Sequence, residues 1–158
     1  MSLYILKMKK EVWGNAVWLL FHTLAEKIKE EYRNELPVVV SHITQICNNL
    51  PCPDCQQHAS RTMAHVNKNE IASSKEALID FLWRFHNDVN KRNKGVYYPK
   101  ESLEKYKSAN TFNVVKHFIT IMSATSNNEK TMLHGFHRTL YMKQFIDYVN
   151  KNMYKYNA

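Results

Sequence analysis

The chain has 158 residues, of which 44% are apolar and 12% are aromatic, and this is enough to build the core of one domain. Its formal charge of +8 suits nucleic acid, an acidic partner or a phosphate-bearing cofactor, and the charge by itself does not decide among them. Three cysteines exclude a dense disulfide framework, and three scattered glycines exclude a GxGxxG or P-loop motif, so a nucleotide would have to be bound in another way.

Helical periodicity dominates the first third of the chain. Apolar residues recur at helical spacing over residues 12–28, which predicts a long first helix, and again over residues 38–50. A third helix is predicted to begin at Cys52, because Pro53 would then occupy the first helical position, where proline is best tolerated. Asp54 would complement the dipole of this helix, and Cys52 would be its N-cap residue.

The rest of the chain continues the helical pattern. A capping-box pattern at Ser73–Glu76 opens a fourth helix over residues 75–93, and Gly95 ends it. A turn and a short helix are predicted within residues 95–107. Two further amphipathic helices are predicted at residues 111–123 and about 129–153, the second opened by the capping-box pattern Ser126–Glu129. No alternation typical of β-strands has a useful length, so the predicted class is all-α.

The motif Cys52-Pro53-Asp54-Cys55 places two sulfurs three residues apart on one helix face, close enough to form a disulfide. The N-cap position directs the Cys52 sulfur at free backbone N–H groups, and these favour a thiolate. We therefore expect the pair to be suited to thiol–disulfide exchange, in which a thiolate attacks a disulfide through a mixed intermediate.

Two other interpretations of the cysteines stay open from the sequence. Cys47, Cys52, Cys55 and His58 could bind zinc, and a zinc-stabilised basic helical module that binds nucleic acid would use the +8 charge. Structural zinc usually takes its ligands from two separated pairs, which this spacing does not provide. The pair could instead be incidental in a helical interaction protein, and Cys47 is in any case expected to be an inert buried thiol.

Two sets of side chains mix aromatic and polar groups on one helix face. Trp18 and His22 are four residues apart on the first helix, a spacing that is more often typical of a packed core than of a cofactor site. The face of the fourth helix carries a larger set, Trp83, His86, Asn87, Asn90 and Lys94. That set suits either a solvated surface or a ligand that is flat and polar.

Three segments carry specific patterns in a fixed order: W-x3-H in WGNAVWLLFHTLA (13–25), C-x2-C-x2-H in LPCPDCQQHA (50–59) and H-N-x-V-N in FHNDVNKRNKG (85–95). Together they resemble the Erv/ALR family of FAD-linked sulfhydryl oxidases, in the short form carried by large cytoplasmic DNA viruses. The resemblance spans about residues 11–107.

The resemblance implies a four-helix bundle that holds FAD at its open end, with a fifth short helix alongside. We expect residues 1–107 to form this FAD-binding domain. Residues 108–158 are expected to form additional C-terminal helices, which either pack on the bundle or build a dimer interface. A bundle holds FAD with helix-borne side chains, which agrees with the shortage of glycine.

The resemblance also implies the site residues. Cys52 would be attacked by the substrate, and Cys55 would lie against the flavin. The residues implied to bind FAD are Trp13, Gly14, Trp18, His22, His58, Trp83, His86, Asn87, Val89, Asn90, Lys91, Arg92, Lys94, Tyr97 and Tyr106, and no metal site is implied. Lys91, Arg92 and Lys94 are candidates to meet the pyrophosphate, because opposite charge and multiple donors suit it.

The implied reaction turns protein dithiols into disulfides and passes electrons through FAD to O2, which gives H2O2. The chain has no second CxxC, so either substrates reach Cys52 directly or a thioredoxin-like relay protein passes electrons to it. We expect a homodimer and no nucleic-acid partner. No apolar run approaches the roughly 20 residues of a membrane span, so we expect no membrane contact and a cytoplasmic location, or a virion if the chain is viral.

Overall fold

A computed structural model describes the backbone of residues 3–126 and 132–158, and the side chains of residues 9–124 and 135–158. Its α-helices are α1 Leu3–Lys27, α2 Leu36–Cys47, α3 Pro53–His65, α4 Lys68–Ile71, α5 Lys75–Arg92, α6 Thr111–Ser126 and α7 Met132–Asn152. Shorter 3₁₀ segments lie at Glu30–Glu35, Lys100–Ser108 and Met153–Lys155. Within these described ranges, β-pairing is limited to one isolated bridge between Ile28 and Tyr156. The predicted all-α class is confirmed.

Two helix starts differ from their predictions. α1 begins at Leu3, well before residue 12. α2 begins at Leu36 and not at residue 38, because Pro37 lies in the first turn, where its missing N–H costs no hydrogen bond. The capping box predicted at Ser126–Glu129 includes residues 127–129, which lie outside the described residues.

The capping box predicted at Ser73–Glu76 is wrong by one residue. Ser74 is the N-cap of α5, and its Oγ accepts a hydrogen bond from the Ala77 N–H at 3.0 Å. The Ser73 hydroxyl instead donates to the Glu70 carbonyl at 2.6 Å, at the end of α4. Adjacent serines can each cap a helix end, and here the short helix α4, which periodicity did not predict, takes the first of them.

α1 is the central helix of the fold. It packs against α5, α6 and the 3₁₀ segment Lys100–Ser108. Phe21 of α1, Phe118 of α6 and Phe145 of α7 belong to one buried cluster, and each is at most 1% exposed. Because α6 and α7 contribute to this cluster, the C-terminal helices share the core of the bundle, and the domain boundary at residue 107 stays a prediction.

Neither α1 nor any other helix in the described part of the chain is both long and apolar enough to cross a membrane.

α5 ends at Arg92, shortly before Gly95. Gly95 has no positive φ, and Lys94 takes the left-handed position with φ 55°. The turn closes with a hydrogen bond from the Gly95 N–H to the Asn90 carbonyl at 2.7 Å. A residue with a Cβ loses roughly 1–2 kcal/mol in this conformation. The strain lies at a residue that lines the cavity described next.

Candidate functional site

A cavity of about 780 Å³ opens between the first half of α1, the start of α3 and the end of α5. This volume falls within the roughly 300–1,000 Å³ range of ligand and cofactor sites. The predicted site residues that line it are Trp13, Gly14, Trp18, Cys52, Cys55, His58, His86, Val89, Asn90, Arg92 and Lys94. The structure therefore brings most of the predicted set together around one space.

One stripe of α1 forms a wall of the cavity. Its members recur at intervals of three or four residues, so they share a helix face: Lys10, Trp13, Gly14, Val17, Trp18 and Phe21. A Cβ added at Gly14 would meet nothing within 4 Å. Packing within the described chain therefore does not require glycine at this position, and the bare backbone faces open space.

The cysteine pair lies at the start of α3, as predicted. Cys52 is the N-cap with an extended backbone, and its Sγ accepts a hydrogen bond from the Cys55 N–H at 3.4 Å. Pro53 occupies the first turn. Both sulfurs are half-buried free thiols that interact with each other, and both line the cavity. The structure therefore places the two cysteines next to each other at the edge of the cavity.

The surroundings of Cys55 and Cys47 affect their pKa values differently. Burial raises the pKa of Cys55 to about 11, the neighbouring Cys52 raises it too, and the ammonium of Lys10 opposes both effects. Cys47, at the end of α2, is 1% exposed, and its burial raises the pKa to about 12. A thiol with that pKa is protonated at neutral pH and is a poor nucleophile, as expected for an inert buried cysteine.

A stack of aromatic rings forms the inner wall. The rings of Trp18 and His86 are nearly parallel, at 4°, with centroids 4.2 Å apart. The ring of Tyr98 also stacks on His86, with centroids 4.3 Å apart. His86 Nδ1 lies 2.9 Å from His22 Nε2. Burial lowers the pKa of His22 to about 3 and that of His86 to about 4. Both imidazoles are therefore neutral near pH 7, which allows an N–H···N bond between them without like-charge repulsion.

Two predicted site residues of α5 bind the chain itself. Trp83 Nε1 donates to the Tyr98 carbonyl at 2.9 Å, and Asn87 donates to the same oxygen at 3.1 Å. The Asn87 amide oxygen also accepts from the Tyr98 N–H at 2.8 Å. Asn90, which does line the cavity, donates to the Val96 carbonyl at 2.8 Å. These side chains hold the segment of residues 96–98, and this segment carries the ring that stacks on His86.

The remaining predicted residues do not line the cavity. His22 is buried behind His86, and Tyr106 is buried beneath His22, with ring centroids 4.8 Å apart. Lys91 and Tyr97 are exposed on the outside. A direct role in FAD binding for these residues, and for Trp83 and Asn87, stays a prediction.

The chain matches the model of the Erv1/Alr family over residues 15–111, which is more than half of its length. The chain belongs to the Erv1/Alr family. Three viral relatives carry the name of FAD-linked sulfhydryl oxidases. The protein of invertebrate iridescent virus 3 is 31% identical over 99 residues, which cover 61% of this chain and 67% of the relative. The fowlpox virus protein is 26% identical over 97 residues, which cover 61% and 92% of the two chains.

The relative from invertebrate iridescent virus 6 is 29% identical over 90 residues, which cover 51% of this Erv1/Alr chain and 78% of the relative. No solved structure was found to match the chain. The resemblance seen in the sequence motifs is therefore confirmed at the level of the family.

The zinc interpretation finds no support in this Erv1/Alr chain. Among the residues that the structure describes, no group of three or more His, Cys, Asp or Glu side chains is arranged to hold a metal ion. His58 lines the same cavity as Cys52 and Cys55, and burial lowers its pKa, with Arg92 and Arg61 adding to this effect.

Two residues near the cavity of this Erv1/Alr protein were not predicted. Lys10 lines the cavity three residues before Trp13, so helical spacing from the tryptophan could have found it. Tyr98 supplies the ring that stacks on His86. No signal in the sequence separates Tyr98 from the adjacent Tyr97, which is 64% exposed.

Proposed function

We propose that the chain is an FAD-linked sulfhydryl oxidase that forms disulfides in protein substrates through Cys52 and Cys55 and uses O2 as the electron acceptor. Family membership and the names of the three viral relatives support the activity and the cofactor. One observation carries the assignment of the pair: the two sulfurs form part of the wall of a cofactor-sized cavity. A reactive pair of cysteines in direct line with such a space suits electron transfer between thiols and a flavin.

The residues present fit FAD. A flat isoalloxazine or adenine ring needs a flat apolar surface, which the Trp18–His86 stack supplies, and close approach, which the bare face of Gly14 allows. A diphosphate needs cations and donors, and Arg92 and Lys94 provide them where α5 ends. Helix-borne side chains can thus bind the nucleotide without a glycine-rich loop.

The first chemical step takes place on the sulfurs of the oxidised pair. A substrate thiolate attacks Cys52 Sγ, a bond forms between these two sulfurs, and the Cys52–Cys55 bond breaks. Cys55 leaves as a thiolate and keeps the electron pair of the broken bond. Cys52 is the better target, because it is the N-cap residue at the helix end, whereas Cys55 lies a turn further into α3.

In the second step, a second substrate thiolate attacks the substrate sulfur of the mixed disulfide. The substrate leaves as a disulfide, and Cys52 and Cys55 are left reduced, with the two electrons that the substrate lost. FAD bound in the cavity supplies two-electron oxidation of this pair, with O2 as the final acceptor and H2O2 as the product. Cys47 takes no part, because it is buried and protonated.

Three properties of the protein in the cell stay proposals. Substrates reach Cys52 directly or through a thioredoxin-like relay protein, since the chain has no second CxxC. The homodimer rests on the family resemblance, and the cytoplasmic location rests on the sequence, in which no apolar run approaches the length of a membrane span.

The proposal is tested with purified protein supplied with excess FAD and a dithiol. An oxygen electrode and a peroxide assay should record one H2O2 for each O2 consumed, and free thiol should fall by two for each H2O2 formed. A protein that binds FAD and consumes no oxygen with either a small dithiol or a reduced protein would contradict the proposal. Zinc bound in stoichiometric amount would instead favour the zinc-stabilised module.

A further inference from the structure

Lys10 is a cation that lines the cavity close to the cysteine pair, and the sequence predicts no role for it. It lies on the cavity stripe of α1, one turn before Trp13, and is half-buried there. Cys55 lines the same cavity from α3. The ammonium of Lys10 acts on the Cys55 sulfur by its charge and by hydrogen bonding, and both interactions lower the pKa of Cys55.

The other groups around Cys55 do not replace this contact. The charged or titratable residues that line the cavity with Cys55 come from four parts of the fold. They are Cys52, Asp54 and His58 on α3, Lys10 and Glu11 on α1, His86, Arg92 and Lys94 on α5 and the turn after it, and Cys47 at the end of α2. Burial and Cys52 raise the pKa of Cys55, and Lys10 is the cation among the described residues that lowers it. Arg92 and Lys94 lie where α5 ends, and we assign them to the diphosphate.

We propose that Lys10 is a catalytic residue that stabilises Cys55 as a thiolate when the substrate breaks the Cys52–Cys55 disulfide. The inference rests on the proposed function. In that step a negative charge moves from the substrate sulfur through Cys52 Sγ to Cys55 Sγ, and no proton is taken up. The charge arrives at a half-buried sulfur, where desolvation disfavours it. A fixed cation beside the leaving sulfur lowers this barrier, and it also keeps the electron pair on sulfur, available to the cofactor.

The test follows the ionisation of Cys55 itself. In the background Cys52→Ser, with serine retained as a good N-cap, Cys55 is the accessible thiol, because Cys47 is 1% exposed. The rate of alkylation by iodoacetamide is measured at pH 8 on protein saturated with FAD, because at a pH far below the Cys55 pKa of about 11 the rate is proportional to the thiolate fraction. Lys10→Met and Lys10→Gln remove the charge, and Lys10→Arg keeps it.

Lys9→Met is the matched control. It removes the same charge from the adjacent residue of α1, and Lys9 is not part of the cavity wall. Loss of an adjacent opposite charge raises the pKa of a carboxylate or thiol by roughly 1–3 units. We expect Lys10→Met and Lys10→Gln to raise the pKa of Cys55 by about one unit, so that alkylation near pH 8 slows by about tenfold. Lys10→Arg and Lys9→Met should leave the alkylation rate at pH 8 unchanged.

Equal alkylation rates at pH 8 in Lys10→Met, Lys10→Gln and Lys9→Met would overturn the inference. Circular dichroism shows whether each variant is folded, and its flavin absorbance shows whether FAD is bound. If either Lys10→Met or Lys10→Gln does not fold, the other still tests the inference. Alkylation needs no turnover, so this result is independent of the oxidase assay. If the protein consumes no oxygen while the neutral Lys10 variants are still alkylated more slowly, the proposed function fails and the contact of Lys10 with Cys55 stands.

Discussion

Two parts of α1 face different surroundings. The part over residues 10–21 lines an open cavity with aromatic rings, a bare glycine and a cation. The part after it is closed, with Leu24 and Ala25 at most 3% exposed. The last carbonyl of α1, that of Lys27, accepts from the Asn157 N–H at 2.7 Å, and the Lys27 ammonium donates to the carbonyls of Lys107 and Ala158. One helix thus packs into the core and bonds the C-terminal segment at its end, and it borders an open space where we propose that it binds FAD.

The largest effect is expected from the cysteines at the open end. Cys55→Ala and Cys52→Ser each remove one sulfur of the pair that we propose carries the reaction, so turnover with a dithiol should fall by roughly 10³-fold or more in each. Cys47→Ala is the matched control, because that thiol is buried and protonated. Oxygen consumption checks all three. Loss of activity in Cys47→Ala with FAD still bound would mean that the roles of the cysteines are assigned wrongly.

The second effect concerns the pH dependence of stability. Burial lowers the pKa of His22 to about 3 and of His86 to about 4, whereas the unfolded chain has the ordinary value of 6.5. Between pH 6.5 and about 4 the unfolded state therefore binds protons that the folded state does not, and the free energy of unfolding falls as the pH falls. At pH 5 each histidine should account for roughly 2 kcal/mol of this loss.

Urea unfolding at saturating FAD measures the slope. The double variant His22→Gln, His86→Gln should flatten the dependence between pH 6.5 and 5, although its stability at pH 8 is also lower. His117→Gln, an exposed residue of α6, should keep the slope of the parent protein. An unchanged slope in the double variant would show that other groups cause the loss.

The third effect separates two tryptophans. Trp18→Leu removes the ring that stacks on His86 at the cavity wall, and we expect the dissociation constant for FAD to rise roughly tenfold. Trp83→Leu removes a ring that does not line the cavity and binds the Tyr98 carbonyl. It should change the constant by less than about threefold. Quenching of flavin fluorescence measures both, and a larger loss in Trp83→Leu would place the cofactor elsewhere.

Much of the fold follows from local sequence. The N-cap at Cys52 and the proline after it are predicted correctly, because capping depends on residues next to each other in the chain. The partners of Trp83 and Asn87 could not be predicted, because the carbonyl that they bind belongs to the segment of residues 96–98, whose path depends on tertiary packing. Lys10 was missed because a lysine interrupts an apolar stripe and is usually assigned to the surface.

The smallest effect is expected at the closed end. Lys27 is 8% exposed, and Lys27→Met would leave the Lys107 and Ala158 carbonyls without their donor. Unfolding in urea should show a loss of about 1–3 kcal/mol. Lys151→Met, which breaks only an exposed pair with Asp147, should cost less than about 0.5 kcal/mol. Affinity for FAD should be unchanged in both, and a drop in affinity in Lys27→Met would show that the two ends are coupled.

The central claim is that a flavin lies in the cavity against Cys55. The visible absorption spectrum of the purified protein, recorded without oxygen, tests it most directly. We expect a flavin spectrum that bleaches when dithiothreitol is added and returns when air is admitted, and we expect Cys55→Ala to bind the flavin without rapid bleaching. A protein that stays colourless after incubation with FAD, or a Cys55→Ala variant that bleaches as fast as the parent protein, would contradict the claim.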